Sequence, residues 1–171
     1  MENQKAPNFK LKNITGETVT LSSYDGKWLV LVFYRGNCCP KCNLQIADFE
    51  KDYEKFKALQ SEIIAVSTDT PEEAKKTREK SQARFPILID SDNEVVNLYG
   101  VATQKRELKD IPAILHGKKA GTYAMPAVFI IDTKGIIRYS YVGKSFTDRP
   151  NNEELLKKLS ELQSQSTHNI S

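Results

Sequence analysis

Three cysteines fall within five consecutive positions, Cys38, Cys39 and Cys42, and two of them close the C-x-x-C unit Cys39-Pro40-Lys41-Cys42. A thiolate is the nucleophile of thiol chemistry, and a cysteine at the start of a helix meets unpaired backbone N–H groups and the positive end of the helix dipole, both of which favour thiolate over thiol. Two cysteines three residues apart on a helical turn share a side and can close a small disulfide ring. Lys41 between them and Arg35 just upstream are placed to add positive potential. Cys38 has two readings, a third thiol able to pair with Cys39 or resolve an intermediate, and a small apolar residue on the turn.

The same spacing supplies half of many zinc sites. The sequence holds no second C-x-x-C and no H-x-x-x-H, and the other candidate ligands are Cys38, His116 and His168. A structural metal site is therefore not expected, and with no phosphate-binding glycine loop present no organic cofactor is expected either. The expected redox centre is a reversible Cys39–Cys42 disulfide.

The cysteines need a strand behind them and a helix after them. Trp28 to Tyr34 is an unbroken apolar run with β-branched Val30 and Val32, which reads as a buried central strand. Ile46, Phe49, Tyr53 and Phe56 then recur at helical spacing, so a helix is expected to about Leu59, with Pro40 in its first turn, where a missing N–H costs nothing. Strand to Val66, capping-box helix from Thr70-Pro71-Glu72-Glu73 to about Glu79, strand at Phe85 to Ile89 and short helix at Asn93 to Leu98 continue an alternation that implies parallel pairing. Ala127 to Ile131 and Ile136 to Val142, joined by Asp132-Thr133-Lys134-Gly135, form an antiparallel pair, and Leu155, Leu156, Leu159 and Leu162 mark a closing helix. Trp28, Phe33 and Tyr34 are core or pocket wall. Between Gly100 and Ala124 lies a long segment carrying Lys105, Arg106, Lys109, His116, Lys118 and Lys119, weakly helical around Leu108 to Leu115, and a loop of that length is functional or mobile in most domains.

With 171 residues, one domain over 1–162 is expected, followed by a flexible tail over 163–171. A net charge of +3 from 25 basic and 22 acidic residues is too small to argue for nucleic acid or a membrane surface, and no apolar run is long enough to span a bilayer. The expected location is the cytoplasm, where clustered cysteines serve redox chemistry or metal binding rather than a structural disulfide framework.

Several stretches carry a resemblance beyond the thiols: Ala6-Pro7-Asn8-Phe9, Leu21 through Gly26-Lys27, Val32-Phe33-Tyr34-Arg35-Gly36, Ala65-Val66-Ser67 and Phe129-Ile130-Ile131-Asp132. Over most of its length the chain resembles the peroxiredoxin-like family of alkyl hydroperoxide reductase and thiol-specific antioxidant proteins. It is most similar to a branch with a Tyr-Arg-Gly turn, a C-P-x-C motif followed by Asn43-Leu44, and an Arg149-Pro150 pair before the last helix. The resemblance implies an α/β thioredoxin-like fold, a central mixed sheet flanked by helices with a peroxiredoxin-type N-terminal extension, and it admits a homodimer. In the family pattern of proline, threonine and peroxide-attacking cysteine, the cysteine falls at Cys42, the threonine at Cys39 and the proline at Arg35. The family arginine falls at Pro126, which instead matches the proline that thioredoxins hold beside their C-x-x-C.

Three mechanisms remain open on these residues. Cys39 attacks a substrate disulfide and Cys42 resolves the mixed disulfide. Alternatively, Cys42 attacks a hydroperoxide and Cys39 condenses with the sulfenic acid, after which an external dithiol such as a thioredoxin-type protein restores the pair. In the third, the three thiols and His116 bind a metal or sense oxidant.

Overall fold

The structure, a computed structural model, describes residues 2–102, 123–145 and 148–168. A run of apolar residues that is buried on both faces reads as a parallel-type central strand, and Trp28–Phe33 (β3) is such a strand, with all six residues buried. It lies in a seven-stranded mixed sheet with β1 (Lys10–Asn13), β2 (Thr18–Thr20), β4 (Ser61–Ser67), β5 (Ile87–Ile89), β6 (Ala127–Ile131) and β7 (Ile137–Val142), ordered β2-β1-β5-β4-β3-β6-β7. As the strand and helix alternation requires, β3 pairs parallel with β4, and β4 parallel with β5. The β6–β7 hairpin is antiparallel and docks β6 against β3 with Phe33 opposite Ala127. The N-terminal extension is the β1–β2 hairpin, which adds to the sheet through β5.

Side-chain alternation divides the core. Val30, Val32 and Tyr34 face one layer, packed by Ile46, Phe49 and Phe56 and by Leu155, Leu159 and Leu162 of the last helix. Leu29, Leu31 and Phe33 face the other, with Val95, Val96, Tyr99 and Phe129. Both Cys39 and Cys42 belong to the first layer.

The stripe from Ile46 to Phe56 is broken rather than continuous: α1 (Pro40–Lys51) and α2 (Tyr53–Ala58) meet at Asp52, whose backbone has left helical values. Asp52 accepts a hydrogen bond from Asn152 at 3.0 Å and faces Lys55 at 3.5 Å, so tertiary and local contacts hold the kink that periodicity alone does not show. Helix α3 (Pro71–Ser81) carries the expected capping box, and α4 (Glu94–Leu98) the expected short turn. The closing helix α5 (Asn152–His168) runs past Leu162, so the polar stretch to His168 is helical. The weak helix at 108–115 and the residues Lys105, Arg106, Lys109, His116, Lys118 and Lys119 lie outside the described residues.

The second layer depends on an aromatic trio: Phe129 meets Phe33 edge-on at 5.7 Å and Tyr99 at 5.3 Å, and Phe33 lies 5.4 Å from Tyr99. Phe129→Ala should therefore cost about 3–5 kcal/mol of stability, read as a fall in the denaturant midpoint, while the thiols in the opposite layer keep their reactivity in the folded protein.

Candidate active site

The chain leaves β3 at Phe33 and must turn sharply to enter α1. Gly36 makes that turn at φ +146°, and a Cβ there would come 2.4 Å from Asp69 Oδ1, so both the dihedral and the space demand glycine. Asp69, fully buried at the end of β4, accepts the backbone N–H of Asn37 at 2.9 Å. Asn43 Nδ2 reaches back to the Asn37 carbonyl at 2.8 Å, and Thr77 of α3 approaches Asn37 and Asn43 at 3.4 and 3.3 Å. This clamp delivers Cys39 to the N-cap of α1.

Cys39 has extended backbone, φ −98° and ψ 109°, and its Sγ accepts the Cys42 N–H at 3.4 Å, the part that an oxygen of Ser, Thr or Asp plays in an ordinary cap. Pro40 fills the first helical position. None of the three cysteines is disulfide-bonded. Cys42 donates its S–H to Cys39, and this bond is the largest cause of a Cys39 thiol brought down to about 5; burial opposes it, and the Cys42 N–H, Arg35 and Arg149 add to it. Cys42 moves the opposite way, pushed far up by its bond to Cys39, by burial and by the charge on Cys39, with Arg149 in partial opposition. Both residues are buried, Cys39 at 4% and Cys42 at 0% exposed.

Arg149, between β7 and α5, completes the site. Its guanidinium donates to the Lys41 carbonyl at 3.0 Å and to Gln45 Oε1 at 2.8 Å through Nη1, and to Cys42 Sγ at 3.5 Å through Nη2. Sequence reading noted Arg149-Pro150 only as a mark of one family branch. Its contact partner is 107 positions away, and nothing local to Arg149 points there.

Of the other expected site residues, Arg35 is half-buried and acts on Cys39 through its charge. Lys41 has an exposed side chain, and its carbonyl accepts from Arg149. Pro126 is buried just before β6, its bond to Met125 is trans, and its carbonyl accepts the Gly143 N–H at 2.8 Å. Cys38 is half-buried beside Tyr123, a phenol pushed up mainly by burial and then by Cys38. Gln45, Asn37 and Asp69 were not singled out by sequence; polar residues at these positions carry no spacing signal. Among the described residues, no group of three or more His, Cys, Asp or Glu side chains is arranged to hold a metal ion. His116 lies outside the described residues.

A mixed sheet that presents a reduced cysteine pair, hydrogen-bonded from Cys42 to Cys39, at the strand-to-helix turn defines a thiol-dependent oxidoreductase. The sequence profile of the AhpC/TSA family matches residues 3–140. The chain belongs to the AhpC/TSA family, the peroxiredoxin-like thiol oxidoreductases. It is 39% identical over 103 residues to peroxiredoxin Bcp of Bacillus subtilis, covering 60% of this chain and 66% of that protein. Against the chloroplastic peroxiredoxin Q of Populus jackii the identity is 31% over 159 residues, covering 93% of this chain and 68% of the relative. The matches thus span about two thirds of each relative's length. In fold, it superposes on the mitochondrial 2-Cys peroxiredoxin of Plasmodium falciparum with a TM-score of 0.80 at 22% identity, covering 100% of this chain and 99% of the other. The peroxidoxin BcpB of Mycobacterium tuberculosis gives 0.76 at 20%, covering 94% and 96%.

Because Cys39 ionises near 5, its alkylation by iodoacetamide should climb as pH rises through about 5 and level off near neutrality, whereas an unperturbed thiol keeps gaining reactivity up to about pH 8.5. Arg149→Ala should move that midpoint upward, since one of the charges that stabilise the thiolate is removed. Gly36→Ala should destabilise the fold by about 1–3 kcal/mol through the clash with Asp69, measured by urea unfolding.

Proposed function

We propose that the chain reduces hydroperoxides through the Cys39–Cys42 pair, with Cys39 as the attacking sulfur. The observation that carries this reading is the place of Cys39 at the N-cap of α1, where its Sγ accepts the Cys42 N–H at 3.4 Å and its thiol is brought down while that of Cys42 is pushed up. The Cys39 thiolate attacks one peroxide oxygen; the O–O bond breaks, Cys39 becomes a sulfenic acid, and the leaving alkoxide takes a proton from water. Cys42 then attacks the Cys39 sulfur, an S–S bond forms, and the hydroxyl leaves as water once protonated. The balance is dithiol plus hydroperoxide to disulfide, alcohol and water. An external dithiol, such as a thioredoxin-type protein, supplies two electrons to reopen the disulfide. Arg35 and Arg149 bring positive charge to a site where negative charge moves onto oxygen, which favours the step.

Family register favours Cys42 as the attacking sulfur, but Cys42 is fully buried, and its bond to Cys39 and burial push its thiol up. A thiolate on the first cysteine of the motif also favours a second reading, exchange with a substrate disulfide, in which Cys39 forms a mixed disulfide that Cys42 resolves. Either reading suits the cytoplasm, where thiols are kept reduced.

Single-turnover kinetics of the reduced protein with hydrogen peroxide and with a small aliphatic disulfide separate the readings. Wild type should consume peroxide far faster than a free thiol; Cys42→Ser should keep that first step yet form no disulfide, and Cys39→Ser should lose it. A peroxide rate no better than that of free cysteine, together with fast disulfide exchange, would establish the second reading instead. Peroxide reactivity retained in Cys39→Ser and lost in Cys42→Ser would move the attack to Cys42.

A further inference from the structure

Arg149 is held by a device that the redox chemistry has not yet used. The segment after β7 turns back on itself at Gly143, whose N–H donates to the Pro126 carbonyl at 2.8 Å and where a Cβ would come 2.1 Å from the Asp148 carbonyl oxygen. Asp148 closes the turn with both carboxylate oxygens: Oδ1 accepts the Tyr141 hydroxyl at 2.5 Å, and Oδ2 accepts the Lys144 N–H at 2.8 Å. Its own N–H donates to the Ser145 carbonyl at 3.1 Å. On the far side, Pro150 is buried and Asn151 accepts the Glu154 N–H at 2.8 Å at the start of α5. Arg149 therefore stands between two fixed points, with its guanidinium turned to α1.

We propose that Tyr141 and Asp148 are positioning residues that hold the Arg149 guanidinium on Cys42 Sγ and on the Lys41 carbonyl, so that β7 reaches the thiol pair through one carboxylate. Position 126, where the family pattern has its arginine, takes part by its carbonyl, as the anchor for the turn that brings Arg149 in. The chemistry demands such a device. A guanidinium on a flexible stem is worth little unless its place is fixed, because a displacement of about 1 Å at a reacting centre can cost about 100-fold. Tyr141 and Asp148 touch no sulfur; they act through Arg149. The proposal rests on Cys39 and Cys42 being the reacting pair and is independent of whether peroxide or disulfide is the substrate.

The test follows the rate of Cys39 alkylation by iodoacetamide against pH, a readout that needs no physiological substrate. The groups acting on Cys39 are Cys42 on the same helix, Arg35 after β3 and Arg149 after β7, with the buried Tyr34 interacting with Cys42. Reduced wild type, Tyr141→Phe, Asp148→Ala, Arg149→Ala and the double variant Asp148→Ala/Arg149→Ala are compared near pH 5 to 6. Asp148→Ala should slow alkylation there by roughly tenfold and raise the pH midpoint, with Tyr141→Phe, the gentler change, moving both in the same direction. On the Arg149→Ala background, Asp148→Ala should add nothing further. A rate and midpoint for Tyr141→Phe and folded Asp148→Ala indistinguishable from wild type would overturn the proposal. An Asp148→Ala loss that recurs undiminished without Arg149 would overturn it as well. If instead these variants behave as expected while peroxide reactivity is absent, the clamp stands and the peroxide reading falls.

Discussion

One hydrogen bond organises the site: the S–H of a buried Cys42 pointed at the sulfur of Cys39, at the N-cap of α1. A thiol buried in an apolar layer ordinarily becomes harder to ionise, and burial does oppose ionisation at Cys39. The bond reverses that outcome on one sulfur by worsening it on the other. The two thiols are thus driven in opposite directions, Cys39 down and Cys42 up, while the helix holds them three residues apart. The helix end contributes through the Cys42 N–H, and two guanidinium groups, Arg35 just upstream and the distant Arg149, contribute through space.

Much of the fold serves to keep that geometry without motion. The sheet fixes where β3 ends, and Gly36 and the buried Asp69 fix how the chain turns from it. The β6–β7 hairpin, paired to β3 through Phe33 and Ala127, brings the Arg149 segment to the same end of the sheet. The central strand also separates two packing layers, so the aromatic trio of Phe33, Tyr99 and Phe129 stabilises the scaffold on the face away from the sulfur. The thiol pair and the aromatic trio therefore lie on opposite sides of one sheet.

The fold was legible because its signals are local. The Trp28–Phe33 run, the capping box at Thr70 and the turn at Asp132 to Gly135 each announce their element within a few residues. The cysteine pair was legible for the same reason: spacing, a first-turn proline and a preceding strand lie together in sequence. The kink at Asp52 and the helical continuation to His168 were not, because they depend on Asn152 packing onto Asp52 and on extension of an already formed helix through polar residues. Arg149 is the clearest case. Its meaning comes from a sulfur 107 positions away, and the family pattern directs attention to Pro126, whose contribution is a backbone carbonyl. The lowering of the Cys39 thiol was legible from its place at the start of a helix, whereas the bond from Cys42 that contributes most to it was not.

The divergence of the two thiols is the claim on which the functional reading depends, and it is measured most directly by a carbon-13 NMR titration of the reduced protein labelled at cysteine Cβ. The Cys39 signal should titrate with a midpoint near 5, while the Cys42 signal shows no deprotonation of its own through neutral pH. A first ionisation at Cys42, or both thiols titrating together at about the 8.5 of an unperturbed cysteine, would contradict the account.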